Sequence, residues 1–228
     1  MNEQSKADHS RRSLRRLFII GASSFAREVE SWLGLVPPPD RDWYLAGFLN
    51  SPQETPALSG YPSDLRVVGD WKNFEFHRTD YVILGVSDPF WKQEIWNALS
   101  GSVTFMTYVA PNVVLGEHNR VGEGSIICPG TVITTNVSIG RAVTINNSAN
   151  IGHDAVIGDF SSIMGKAVVT GKVHLGQFVY LGAAAVVLPG TRVGDRAKVG
   201  AGSVVIRNVQ TGLTVFGNPA KPLNHNLK

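Results

Sequence analysis

From Val109 onward an aliphatic residue returns at every sixth position, through Leu115, Val121, Ile127, Ile133 and so on to Val205. All 17 positions of that register hold Val, Ile or Leu, with no insertion between them. These three residues make up about a quarter of an ordinary chain, so chance does not produce the run. The next residue is often Gly, as at 116, 122, 140, 152 and 158, and a small or β-branched residue commonly sits four after the aliphatic, as in Ser125, Thr131, Ala149 and Ala155. A six-residue period of this kind predicts a parallel β-helix. Each hexad supplies one short strand and a corner. The aliphatic points into the prism, the small residue fits the corner, and Gly relieves the backbone where the chain bends. Three hexads make a coil of 18 residues, so 17 hexads give between five and six coils. Stacked at about 4.8 Å, they form a column roughly 25 Å tall.

The preceding segment, 17–101, has a different pattern. Leu17 to Gly21 is a short apolar run ending in Gly, and Phe25 to Leu33 is helix-compatible. Pro37, Pro38 and Pro39 stop that helix and predict a surface loop. Trp43 to Leu49 and Tyr81 to Val86 are further strand candidates, and Phe90, Ile95, Trp96 and Leu99 are spaced as a helix over Pro89 to Leu99. Alternating strands and helices predict a small parallel sheet. The expected organisation is a disordered basic tail over 1–16, an α/β domain with a small Rossmann-like sheet over 17–101, and a β-helix domain with a C-terminal segment over 102–228.

Composition narrows the function classes. The chain has 228 residues, 43% hydrophobic and 17% charged, within the range of soluble globular proteins. The net charge is +3, and Arg11, Arg12, Arg15 and Arg16 crowd the polar start of the chain. That cluster reads as a solvated terminus rather than a nucleic-acid arm. Four apolar residues from Leu17 are too few for a signal peptide, and no stretch approaches the ~20 of a membrane span. Single Cys128 excludes an internal disulfide. A cytoplasmic protein is expected.

The hexapeptide array, Gly21-Ala-Ser-Ser-Phe-Ala-Arg27, Gly47-Phe-Leu-Asn50, Leu84-Gly85, Gly152-His-Asp-Ala-Val-Ile-Gly158 and the closing Gly217-Asn-Pro-Ala-Lys221 together resemble bacterial nucleotide-sugar O- and N-acyltransferases, those that acetylate UDP- or GDP-linked 4-amino sugars. The resemblance implies a left-handed prism, a homotrimer and acetyl-CoA as co-substrate. It also implies a sugar-nucleotide site bordered by Gly21, Ser23, Ser24 and Phe25 at the phosphates, Asn50 and Ser51 at the base or ribose, and Gly85 at the neighbouring wall. The glycine turn is not a dinucleotide fingerprint, having one glycine where three are wanted. No acidic residue follows the second strand as NAD sites require. Relatives often carry Gly-His at 24–25 and paired acids at 50–51, so the nucleotide stays open.

Acyl transfer from a thioester needs a base for the nucleophile's proton and a donor for the developing oxyanion. His153 stands two residues after Ile151, on the outside of the repeat, with Asp154 beside it to orient the imidazole. By resemblance His153 is the general base and Asp154 its partner, with Asn146 helping to place the substrate. A second histidine common in relatives is replaced by Ser162, expected to hydrogen-bond the pantetheine or the attacking group. The oxyanion donor falls at Gly171, and the coenzyme arm passes Ala183 and Ala201 toward Lys221. No metal is expected: His118 and His153 are 35 residues apart, nearly two coils, which does not converge on one ion. Two other classes remain open: a non-catalytic β-helix scaffold that binds sugar nucleotides, and a β-helix carbonic anhydrase.

Overall fold

The computed structural model describes residues 14–50, 58 and 60–223. Ser51, Arg11 and Arg12 lie outside the described residues.

The first part of the chain is a sheet flanked by helices. Strands β1 (Arg15–Ile20), β2 (Trp43–Leu49), β3 (Val67–Gly69), β4 (Tyr81–Leu84) and β5 (Thr104–Phe105) form a five-stranded sheet in the order β3-β2-β1-β4-β5. All four pairings are parallel. Helix α1 (Ser24–Leu33) follows β1 and α2 (Pro89–Leu99) follows β4. Side chains alternate across β1. Leu17 and Ile19 pack with Ala26, Val29 and Leu33 of α1, while Phe18 and Ile20 pack with Ile95, Trp96 and Leu99 of α2. β3 and β5 were not foreseen, because two or three residues carry no readable alternation. The expected loop at Pro37–Pro39 is a single 3₁₀ turn over Pro38–Asp40.

Arg15 and Arg16, expected to be part of the tail, belong to β1. The reason is a buried acid. Arg16 Nε and Nη2 bond Asp80 at 2.9 and 2.6 Å, and Asp80 is 1% exposed. That contact holds the Arg16 guanidinium above its usual value.

Beyond Thr107 the chain winds into a three-faced parallel β-helix. Face I carries the strands beginning at Tyr108, Ile126, Thr144, Ser162, Tyr180, Lys198 and Thr214, with Lys221–Pro222 added antiparallel at the end. Face II carries those at Val114, Val132, Asn150, Val168, Val186 and Val204, and face III those at Arg120, Ser138, Val156, His174 and Arg192. Every aliphatic of the six-residue register is the second residue of one of these two-residue strands. Partners on a face are 18 residues apart up to Val205, as in Val132 with Asn150 and Thr144 with Ser162, and 16 apart in the last pair of face I, Lys198 with Thr214. The interior is continuous from Ile127 to Val215. At the first coil the register is not inward-buried: Val109 and Leu115 are exposed, because no earlier coil covers that end of the column.

The glycines do a different job from the one expected. Those following the aliphatic have ordinary φ, and their role is close approach. A Cβ on Gly158 would lie 2.5 Å from Gly176 C and 2.6 Å from Gln177 N of the next coil. The left-handed backbone falls two residues later, at the third position after the aliphatic. Eleven non-glycine residues take it there, among them Asp154 (φ 60°), Phe160 (61°), Lys166 (60°) and Lys172 (59°). Buried corner hydroxyls tie coils together: Ser161 Oγ donates to Gly176 O at 2.9 Å and accepts from Val179 N at 3.0 Å.

The sheet rests on face I and on the edge between faces III and I. Tyr108, Ala110, Ile126 and Cys128 continue the α1 side of the core, and Ala142 and Phe160 continue the α2 side. Burial pushes the Cys128 thiol up, out of reach of ionisation near neutrality. Lys92 of α2 is completely buried at this junction. Desolvation holds its ammonium well below the usual lysine value.

Two stability outcomes follow from this packing. Gly158→Ala should destabilise by about 1–3 kcal/mol through overpacking, whereas Lys166→Gly should stay within about 1 kcal/mol of the parent, left-handed relief offsetting chain entropy. Urea midpoints check both. Because folded Lys92 releases its proton before unfolded lysine does, the unfolded state binds more protons between the two values. Stability from this group therefore rises as pH climbs toward the ordinary lysine value, and Lys92→Met should remove that part of the rise.

Candidate active site

His153 and Asp154 sit at the edge between faces II and III, on the corner after Ile151. His153 Nδ1 lies 2.8 Å from Asp154 Oδ2, with side chains 57% and 39% exposed. Asp154 Oδ1 accepts from Asn136 Nδ2 at 2.7 Å, one coil below. Asp154 has left-handed backbone, and its N–H donates to Thr135 O at 3.1 Å. The carboxylate is therefore held from two sides. Its bonds to His153 first and to Asn136 second hold its pKa below the usual carboxylate value.

With Nδ1 engaged by a carboxylate, the free imidazole nitrogen is Nε2. Directly above it is Gly171. A Cβ there would stand 2.5 Å from His153 Nε2, so any larger residue would close the nitrogen off. The Gly171 N–H has no hydrogen-bond acceptor among the described residues. Below His153 an open cleft is lined by His118, Asn119, Arg120, Asn136, Val137 and Ser138. The arrangement can accept a proton at Nε2, and the residue packed against that nitrogen carries an unpaired backbone N–H among the described residues.

The second group of expected residues gathers at the carboxyl ends of β1 and β4, where the strand order reverses. Open parallel sheets place ligands at such switch points. Gly21 (φ 94°) turns the chain there, and its Cβ position would lie 2.9 Å from Val86 Cγ1 and 3.2 Å from Gly85 O. Gly85 in turn has Ala26 Cβ 2.7 Å from where its own Cβ would be, so the turn closes only with glycine on both strands. Ser23 is the N-cap of α1 with no side-chain cap bond, and Ser24 Oγ accepts from Arg27 Nη2 at 3.1 Å. Asn50 is buried beside this turn, its N–H on Gly69 O. Phe25 contributes only backbone: its ring packs into the core at 6.0 Å from Trp32.

Other expectations are redistributed. Ala183 and Ala201 are exposed and stacked one coil apart on the edge between faces I and II, Gly202 N donating to Ala183 O at 2.8 Å. Lys221 is exposed at the end of face I. Asn146 is buried, with its side-chain oxygen turned back to Asn147 N at 2.6 Å. Ser162 does not line a coenzyme path: it is fully buried, donating to Ser87 O at 2.6 Å and accepting from Lys92 Nζ at 2.8 Å. The α2 helix covers that stretch of face I, which a repeat pattern alone does not reveal.

Residues 172–207 match the family model described as bacterial transferase hexapeptide (six repeats). The chain carries the hexapeptide repeat of bacterial transferases. A galactoside O-acetyltransferase of Lactococcus lactis is 42% identical over 48 residues, 21% of this chain and 23% of that protein. The chain thus spans about a quarter of the length of this curated relative. Among solved structures, PerB from Caulobacter crescentus in complex with CoA and GDP-perosamine is 24% identical with a TM-score of 0.79, covering 91% of this chain and 97% of that one. WeeI from Acinetobacter baumannii AYE is 26% identical with a TM-score of 0.78, covering 92% and 100%. The fold is therefore shared with these solved structures over nearly the whole chain, and with it goes the left-handed sense of the hexapeptide prism.

Within one such hexapeptide chain the two groups of residues do not meet. The sheet and its switch point rest on face I and the III/I edge, while His153 is on the II/III edge, across the prism. Among the described residues no three His, Cys, Asp or Glu gather as a metal site, and no helix is long and apolar enough to cross a membrane. Sequence reasoning missed Asn136, although its place 18 residues before Asp154 is the one available signal.

The carboxylate contacts set an NMR outcome. His153→Ala should raise the Asp154 pKa toward the ordinary value more than Asn136→Ala does, because the histidine bond is the larger cause. Carbon-detected titration of the Asp154 carboxyl checks the order.

Proposed function

We propose that this protein is an acetyl-CoA-dependent acetyltransferase acting on the amine, or hydroxyl, of a nucleotide-linked sugar. The observation that carries the reading is the His153–Asp154 pair, with Nε2 left open beneath Gly171. Support for the reaction class comes from the hexapeptide repeat and from a fold shared with a protein solved with CoA and GDP-perosamine.

In this reading the segment 17–101 is a Rossmann-like domain that binds the sugar nucleotide. The diphosphate lies at the amino end of α1, bordered by Gly21, Ser23, Ser24 and the Phe25 backbone. Asn50 and Ser51 flank the base or ribose, and Gly85 the wall. The prism over 102–228 holds acetyl-CoA, its arm passing Ala183 and Ala201 toward Lys221. Asn146, turned on its own backbone, shapes the corner rather than touching substrate.

The reaction is a direct transfer. The substrate nitrogen or oxygen attacks the thioester carbonyl carbon, and His153 Nε2 takes the proton that the nucleophile loses. The Gly171 N–H donates to the oxyanion of the tetrahedral intermediate. The C–S bond then breaks, and the imidazolium returns its proton to the leaving CoA thiolate. Asp154, fixed by Asn136, keeps Nδ1–H in place and stabilises the imidazolium.

Because crevice and histidine lie across the prism from each other, the crevice of one subunit serves His153 of another. A homotrimer supplies that arrangement, and face II supplies a surface for it. Its outward positions run Val114, Val132, Asn150, Val168, Val186 and Val204, with Val114 61% exposed and Leu188 and Ile206 exposed beside them. Burial of such a stripe between prisms is favourable and creates equivalent grooves for the coenzyme. A cytoplasmic setting goes with acetyl-CoA use.

Thiol release from acetyl-CoA with a panel of UDP-, GDP- and dTDP-linked amino sugars tests the activity. His153→Ala should lower kcat by about 10²–10⁴-fold, and Asp154→Asn by less, with acetyl-CoA binding retained in both. Sugar-nucleotide binding without thiol release from the wild type would make the protein a scaffold instead.

A further inference from the structure

Lys92 is the least expected side chain in the molecule. It is wholly buried, on the inner face of α2, against face I of the prism. Its Nζ lies 2.9 Å from Ser161 O, 2.8 Å from Ser162 Oγ and 3.4 Å from Thr144 Oγ1. Three donors meet three neutral oxygens, and no carboxylate pairs with it among the described residues. Asp88, one turn earlier, spends Oδ1 on the N–H groups of Phe90 and Trp91 as the α2 cap.

Burying a cation without a counter-charge costs free energy, and an apolar chain of equal length would avoid it. Two of the three neighbours are satisfied without the lysine: Ser161 O already accepts from Thr144 N at 3.0 Å, and Ser162 Oγ already donates to Ser87 O. Thr144 Oγ1 has Lys92 as its one partner among the described residues, at the longest of the three distances. One neutral hydrogen bond of that kind does not offset the burial of an unpaired cation, so stability of the fold does not account for the lysine. What the lysine adds is a connection. Through Ser162 it reaches Ser87, which follows Gly85 and Val86 in the segment that forms the wall of the switch-point crevice and touches the Gly21 turn. One hydroxyl thus receives a bond from α2 and gives one to the crevice wall while belonging to the prism.

We propose that Lys92 and Ser162 are positioning residues that clamp the crevice wall to the prism and so set where a bound sugar nucleotide lies relative to the transferring edge. The inference rests on the acetyltransferase reading above. Neither residue touches substrate. Lys92 holds Ser162 in the rotamer that bonds Ser87 O, and Ser87 fixes the β4–α2 loop against which the nucleotide packs. Loss of either leaves the prism, the His153 edge and the coenzyme path untouched.

The test compares Lys92→Met, Ser162→Ala and the double variant in the full-length protein. Each single variant should raise the KM for the sugar nucleotide about tenfold, the loss of one hydrogen bond involving a charged group. The KM for acetyl-CoA should stay at the wild-type value, and the melting temperature of Lys92→Met should be equal or higher. The double variant should be little worse than either single one, because both break the same chain of bonds. A wild-type sugar KM in Lys92→Met overturns the clamp while leaving the activity standing. Equal increases in both KM values with a lowered melting temperature make the lysine a structural residue only, and also overturn it. Absence of wild-type turnover with every nucleotide sugar overturns the acetyltransferase reading and this inference together.

Discussion

The backbone ladder between residues 18 apart is the constraint on which everything else depends. Each coil donates and accepts along three faces, as Val132 N to Ala149 O, Ser138 N to Ala155 O and Thr144 N to Ser161 O show within one turn. Coils stack about 4.8 Å apart and keep to 18 residues through Val205, and the last coil is two residues shorter, Lys198 pairing with Thr214. One inserted residue would slip a face out of register and turn its aliphatic to solvent. The strict period, the glycines of the close approaches and the left-handed third position are consequences of that spacing. So is the chemistry: a residue at a corner is stacked on the residues 18 before and 18 after it, which gives Asp154 the support of Asn136 and gives His153 the open space above it at Gly171.

On the proposed reading, the rigid column holds an extended coenzyme and the base along its edges, and the sugar nucleotide takes a concave site of its own. The parallel sheet provides that concavity at the reversal of strand order, where two glycines on adjacent strands make the turn possible. The core joins the two parts without a break, since both apolar faces of the sheet continue into Tyr108, Ile126, Ala142 and Phe160. That junction puts the crevice on one side of the prism and His153 on the other. On the proposed reading, the apolar outer stripe of face II is the surface on which a second copy completes the arrangement.

Legibility in the sequence followed the length of the pattern. The array from Val109 to Val205 was readable because 17 repetitions leave one interpretation. β2 and α2 were readable to the residue because each has a full run of its own period, Trp43–Leu49 and Pro89–Leu99. β3 and β5 were not, being three and two residues long. Arg15 and Arg16 read as tail because their partner Asp80 is 64 residues from Arg16. His153 and Asp154 stood out through the motif that carries the resemblance and through their outward place on the repeat, and their side chains do meet, whereas Asn136 needed the coil length as a ruler. Ser162 was misplaced for a different reason. Its outward position in the hexad is real, but α2 covers it, and only tertiary packing decides which outward positions face solvent. The post-aliphatic glycines were found yet misexplained, since a repeat shows where Gly is required without distinguishing close approach from left-handed φ.

On the proposed reading the sugar crevice and the base lie on different subunits, and a mixing experiment tests that most directly. His153→Ala removes the base while leaving the crevice, and Ser23→Trp fills the crevice while leaving the base. Each alone should show almost no thiol release with a nucleotide amino sugar. Unfolded together and refolded as mixed assemblies, they should regain a substantial fraction of wild-type activity, because some interfaces then pair an intact crevice with an intact His153. Mixed assemblies that form but stay as inactive as the two parents would contradict the account and put the whole site within one chain.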